Sequence, residues 1–240
     1  MKWLRRTVAA ALLLLVAAGG LILFPQPLFA YTFEHGHFRV WSDRPIAPAM
    51  AAILDDAERR LARSELYDPE AEFRIFICNE PWRLFLLTRS TQIGGSADPV
   101  FTRNIYLREA DVAANRLVPP SGELADADVR SLSYFVAHEA THVMQARGFG
   151  PLMNYRYPDW LTEGYADFIG KGGRFDLEDN RRLLRAGDPR LHHEASGLYR
   201  GYHLMVAYLI ERQGRSVRGL YDDPPDAEAV RGALLAPEPG

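Results

Sequence analysis

Residues 131–149 read SLSYFVAHEATHVMQARGF, and His138, Glu139, Ala140, Thr141 and His142 at their centre form a His-Glu-x-x-His stretch on an expected helix. Two histidines four positions apart on a helix stand one turn above each other, close enough for both imidazoles to grip a single metal ion. Glu139 is turned about 100° from His138, as one step of a helix with 3.6 residues per turn requires, so it borders the ion and does not ligate it. A general base must stand there to take a proton from a water that the ion activates. A fixed His-Glu-His trio arises by chance in well under about one chain in a hundred of this length, which favours a metal helix over a pair of ordinary histidines. Leu132, Phe135, Val136 and Val143 supply the core side of this helix, and Tyr134, His138, Thr141, His142 and Gln145 the metal side. Asp126 or Asp128 is placed to cap its start, and Gly148 and Gly150-Pro151 to end it.

A catalytic zinc site takes three protein ligands and a water, so a third ligand is sought downstream. The stretch WLTEGYAD, residues 160–167, supplies Glu163, 21 residues after His142 and on a helix of its own. Gly164 beside it leaves room for close helix approach.

HEATH at 138–142 followed by WLTEGYAD resembles the gluzincin metallopeptidases, the thermolysin-like branch of the zincins, and in particular their minimal single-unit members. The resemblance implies a zincin-like α+β fold and one Zn2+ per chain, held by His138, His142 and Glu163, with Glu139 as the general base. It implies that Asp167, four residues beyond the glutamate, holds the first histidine ligand; a carboxylate so placed fixes the imidazole tautomer and raises its basicity. It also implies an oxyanion donor from the C-terminal part, where LYRGYHLMVAYLIERQG offers Tyr199, Tyr202 and His203, and Tyr199 is taken. An edge strand before the metal helix would carry an extended substrate, and Asn104–Leu107 is taken for it. The specific part of the likeness runs from His138 to Asp167, and no long second lobe like that of thermolysin follows.

The rest of the chain fits around this centre. A strand over 37–42, a helix over 46–66, a strand over 73–78 and a helix opened by Asn79 and Pro81, with Trp82, Phe85 and Leu86 inward, give a βαβα start. Residues 89–99 and 115–126 read as loops, with short strands between 100 and 107. Helices follow over 160–169, 177–186, 198–213 and 227–235. The fold class is therefore α+β: a small mixed sheet with helices in the N-terminal half, a helical C-terminal half, and the metal helix between them. His35, His37, His192 and His193 read as exposed residues, and the lone Cys78 as a small buried hydrophobe.

Composition narrows the class further. The 240 residues are 48% hydrophobic and 25% charged with net charge −3, which suits a folded domain and gives nucleic-acid binding no support. Lys2, Arg5 and Arg6 precede an uncharged run over 8–24, so residues 1–30 read as an export signal, cleaved after Ala30, or as a retained membrane anchor. Residues 31–240 are then an exported metallopeptidase domain of the periplasm or another extracytoplasmic space, acting on a peptide or protein substrate. The alternative is a catalytically silent module on the same fold that binds a peptide or an envelope partner.

Overall fold

The computed structural model describes residues 2–119, 130–173, 175–196 and 198–236. Helix α1 (Lys2–Leu23) leads through a 3-10 turn into the hairpin β1 (Tyr31–His35) and β2 (Phe38–Ser42), closed at Gly36 with φ 55°. Helix α2 (Met50–Leu61), strand β3 (Phe73–Cys78), helix α3 (Pro81–Thr88), strand β4 (Gly95–Ala97) and strand β5 (Asn104–Arg108) complete the N-terminal half. A small ribbon of β6 (Ala110–Asp111) and β7 (Arg116–Leu117) precedes helix α4 (Leu132–Phe149). Helices α5 (Met153–Arg156), α6 (Asp159–Lys171), α7 (Leu177–Arg185), α8 (His193–Ser196), α9 (Arg200–Ala207), α10 (Val217–Asp222) and α11 (Ala227–Leu235) follow, with α9 extended by a π-helical turn over Tyr208–Arg212.

The sheet has the order β1-β2-β3-β5-β4, with parallel neighbours around β3 and antiparallel strands at both edges. The sequence FRIFIC of β3 explains its central place, since side chains alternate between faces and apolar residues occupy both. Phe73, Ile75 and Ile77 enter the main core with Ile53 and Leu54 of α2 and Val136, Ala140 and Val143 of α4. Phe76 and Cys78 face the other way, into a smaller cluster with Leu84 and Tyr106. Burial pushes the Cys78 thiol up to about 12, so it behaves as the inert apolar residue expected of it.

Several expectations shift. The loop read over 89–99 contains β4, and this strand, not Asn104–Leu107, forms the edge of the sheet; β5 is enclosed between β3 and β4. Asn79 does not cap α3 with its side chain, which instead bonds Ser42 and Asp43, while the Asp43 carboxylate accepts the N–H groups of Asn79 and Glu80 from outside the helix. Arg83 bonds Asp43 and the carbonyl of Leu28, so Leu84 points inward and Trp82 and Phe85, expected inside, are exposed. His35 and His37 are half-exposed but engaged, with Asp55 at 2.6 Å and Glu58 at 3.8 Å. Asp126 and Asp128, read as caps of the metal helix, lie outside the described residues.

The folded body also takes in residues ahead of 31. Phe29 is buried in the smaller cluster, with its ring 5.2 Å from Phe76. Among the described residues no helix is long and apolar enough to cross a membrane. Removing the ring as Phe29→Ala is expected to lower stability by about 3 kcal/mol, as deletion of a buried phenyl does. Denaturant unfolding of the two chains measures it, and an unchanged midpoint would place Phe29 outside the core.

Candidate metal centre

Helix α4 begins at a Ser131 cap, whose side chain accepts the N–H of Tyr134 at 3.1 Å. Every residue from Leu132 to Ala146 is buried, so one side packs on the sheet and α2 while the other meets α6. His138, Glu139 and His142 lie in the floor of a cavity of about 360 Å³ that Glu163, Phe135 and β4 also line.

Helix α6 brings Glu163 over the two imidazoles, and glycines permit its approach. A Cβ on Gly170 would stand 3.0 Å from the Tyr134 ring and 3.3 Å from His138 Cβ, so the missing side chain seats α6 against α4. Gly164 serves the opposite side, where a Cβ would fall 2.6 Å from the Tyr202 carbonyl of α9. Glu163 Oε2 thereby sits 3.3 Å from His138 Nε2 and 3.5 Å from His142 Nε2. This oxygen is buried and makes no well-formed hydrogen bond. His138, His142 and Glu163 can hold a metal ion.

Charge sharpens the picture. Burial works against a charged His142, but the Glu163 carboxylate outweighs it and raises this imidazole to about 9. Burial likewise opposes charge on Glu163, and the two histidines overcome it and hold this carboxyl well below the ordinary carboxylate range. Glu139 goes the other way: burial raises it, and the imidazoles and the Ala97 N–H compensate only in part.

Each histidine is held from behind. His142 Nδ1 faces Gln145 Oε1 at 2.9 Å, and the Gln145 amide donates to the Thr162 carbonyl and to the Tyr221 hydroxyl. His138 Nδ1 faces the Tyr134 hydroxyl at 3.4 Å, and that hydroxyl donates to Asp167 Oδ1 at 2.6 Å. The expectation that Asp167 holds His138 directly is corrected here, because the Tyr134 phenol stands between them. The other Asp167 oxygen is engaged by Lys171 Nζ at 2.6 Å and His203 Nδ1 at 3.0 Å. Burial would raise the Asp167 carboxyl, but Lys171 and His203 hold it well below its usual range.

Strand β4 closes the site on the sheet side. A Cβ on Gly95 would come 2.7 Å from Glu139 Oε1, so only glycine leaves this carboxylate its place. Of the three donors, Tyr199 lines the cavity, stacked on His138 at 5.8 Å, while the Tyr202 ring lies against His193 and His203 is buried against Asp167. Burial and the Glu163 and Glu139 carboxylates keep the Tyr199 phenol protonated far above neutral pH. His192 is exposed as expected, but His193 is half-buried and stacks on Tyr199 at 4.7 Å.

Neither protein-family models nor curated protein sequences match the chain. Helical spacing puts Tyr134 and Gln145 on the face of the two histidines, and each stands one helical turn from the imidazole whose Nδ1 it faces, a signal present in the sequence. Lys171 carried a similar signal, four residues after Asp167. The bond between His203 and Asp167 and the role of Gly95 had none.

Burial holds His203 neutral and lowers it from 6.5 to about 4. At this group the unfolded chain therefore binds more protons than the fold between these values, and its contribution to stability rises with pH across that window by about 3 kcal/mol. His203→Asn keeps a donor toward Asp167 but does not titrate, so unfolding midpoints of the metal-free variant are expected to lose this dependence between pH 4 and 6.5. An equal slope in variant and parent would remove His203 as its source.

Proposed function

We propose that the chain is a zinc metallopeptidase of the gluzincin type that acts outside the cytoplasm. The observation that carries this reading is Glu163 Oε2, buried without a well-formed hydrogen bond between two imidazole nitrogens at 3.3 and 3.5 Å. Ligand atoms about 2.0–2.1 Å from zinc at the tetrahedral angle lie roughly 3.4 Å apart, and the two distances from Glu163 fit that spacing. Two imidazoles and one carboxylate with a fourth position open are the donor set of catalytic zinc. Bound there, zinc would supply a Lewis acid that brings the pKa of water to near 7 and polarises the scissile carbonyl.

The side chains around it divide the remaining work. Glu139 takes a proton from the attacking water and returns it to the leaving amine, and its raised pKa brings the protonated form within reach. The Tyr199 hydroxyl, kept protonated, donates to the oxygen on which charge develops. Strand β4 ends the sheet beside Glu139, and an extended peptide can add to its outer edge through main-chain hydrogen bonds. That edge favours a peptide over a compact small molecule. The basic start and uncharged run of residues 2–24 support export.

Glu139→Gln is expected to keep stoichiometric zinc and to lower peptide hydrolysis by about 10²–10⁴-fold, as loss of a general base does. Elemental analysis and cleavage profiling on a peptide library, with and without chelator, measure the two. Cleavage as fast as in the parent chain, or insensitive to chelator, sinks the hydrolase reading. Gly95→Ala should crowd the same carboxylate and slow turnover by about 10–100-fold while zinc content stays unchanged; unaltered turnover would show that the base tolerates displacement.

A further inference from the structure

We infer that Tyr134 is a positioning residue for the metal, through which the Asp167 carboxylate fixes His138 without touching it. The inference rests on the reading of His138, His142 and Glu163 as a metal shell. Tyr134 stands one turn before His138 on α4 and is 1% exposed, so no solvent competes for its hydroxyl.

The hydrogen-bond inventory settles the direction of each bond. A phenol has one proton, and Tyr134 gives it to Asp167 Oδ1 at 2.6 Å. Only an oxygen lone pair then faces His138 Nδ1, at a long 3.4 Å, and a lone pair is satisfied there only by a ring N–H. Nδ1 of His138 thereby carries a proton, which leaves Nε2, on the side of Glu163, as the nitrogen for the ion.

Asp167 is held for this task. It is wholly buried, and Lys171 Nζ and His203 Nδ1 occupy its second oxygen. Its first oxygen is left to Tyr134, and its charge is balanced by the ammonium of Lys171. Gly170 fixes the geometry from behind, since any side chain there would push on the Tyr134 ring. The two ligands are consequently unequal: His142 leans on a neutral amide, whereas His138 leans on a carboxylate through a phenol.

The test uses the full chain. Imidazole ¹⁵N–¹H correlation spectra of the metal-free protein are expected to show a His138 proton on Nδ1, facing Tyr134, and Tyr134→Phe to lose it. Competition between the protein and a chromophoric chelator for Zn2+ should show affinity falling by about 10–100-fold in Tyr134→Phe. Tyr221→Phe removes a hydroxyl that is buried in the same way but lies behind Gln145, and should leave the His138 tautomer as it is. A parent chain with no His138 proton on Nδ1, or a Tyr134→Phe chain with zinc affinity within twofold of the parent and a proton still on Nδ1, overturns the inference. A parent chain that binds no zinc instead overturns the metal reading, and its spectra still decide whether Tyr134 sets the tautomer.

Discussion

The site depends on one close approach, in which α6 lies near enough to α4 for a single oxygen of Glu163 to stand within 3.5 Å of both imidazoles. Three carboxylates of this region are buried or nearly so, and a buried charge costs several kcal/mol unless it is paired. The chain meets that cost locally. Glu163 has the two histidines, and Asp167 has Lys171, His203 and Tyr134. Gly170 and Gly164 keep helix backbones close on both flanks of α6, so α4, α6 and α9 form one packed unit around these groups.

The environments of these carboxylates separate their roles. Glu163 and Asp167 are held ionised by neighbouring cationic or donor groups, which suits a ligand and a structural anchor. Glu139, one helical step from His138, has fewer compensating partners and is raised by burial, which suits a group that must gain and lose a proton. The difference arises from placement, because Glu139 faces the open cavity and β4 whereas Asp167 is enclosed between helices.

The sheet contributes less to the surroundings of His138, His142 and Glu163 than to those of Glu139. Strand β3 anchors it through apolar residues on both faces, and β5 carries that order outward to β4. With only three residues, β4 reaches the site because Gly95 has no side chain to collide with Glu139 and because the Ala97 N–H faces the same carboxylate. A short edge strand thus decides where Glu139 stands.

Much of this was legible in the sequence. Helical periodicity places His138, Glu139 and His142 on one stretch of helix, and a second helix carrying Glu163 and Asp167 is equally local, so the three side chains that can hold a metal and the mixed α+β class could be read directly. Strand β4 could not, because GSA has neither alternation nor apolar bulk and becomes a strand only by pairing with β5. Nor could the inward face of α3, which is set by Arg83 bonding across to Asp43 and Leu28, or the partners of Asp167. Sequence spacing determines which side chains share a helix face, since that follows from 3.6 residues per turn. Tertiary packing alone decided that Tyr134 stands between Asp167 and His138, and that His203, 36 residues beyond Asp167, closes on its other oxygen, since the separation of two packed helices is written in no local pattern.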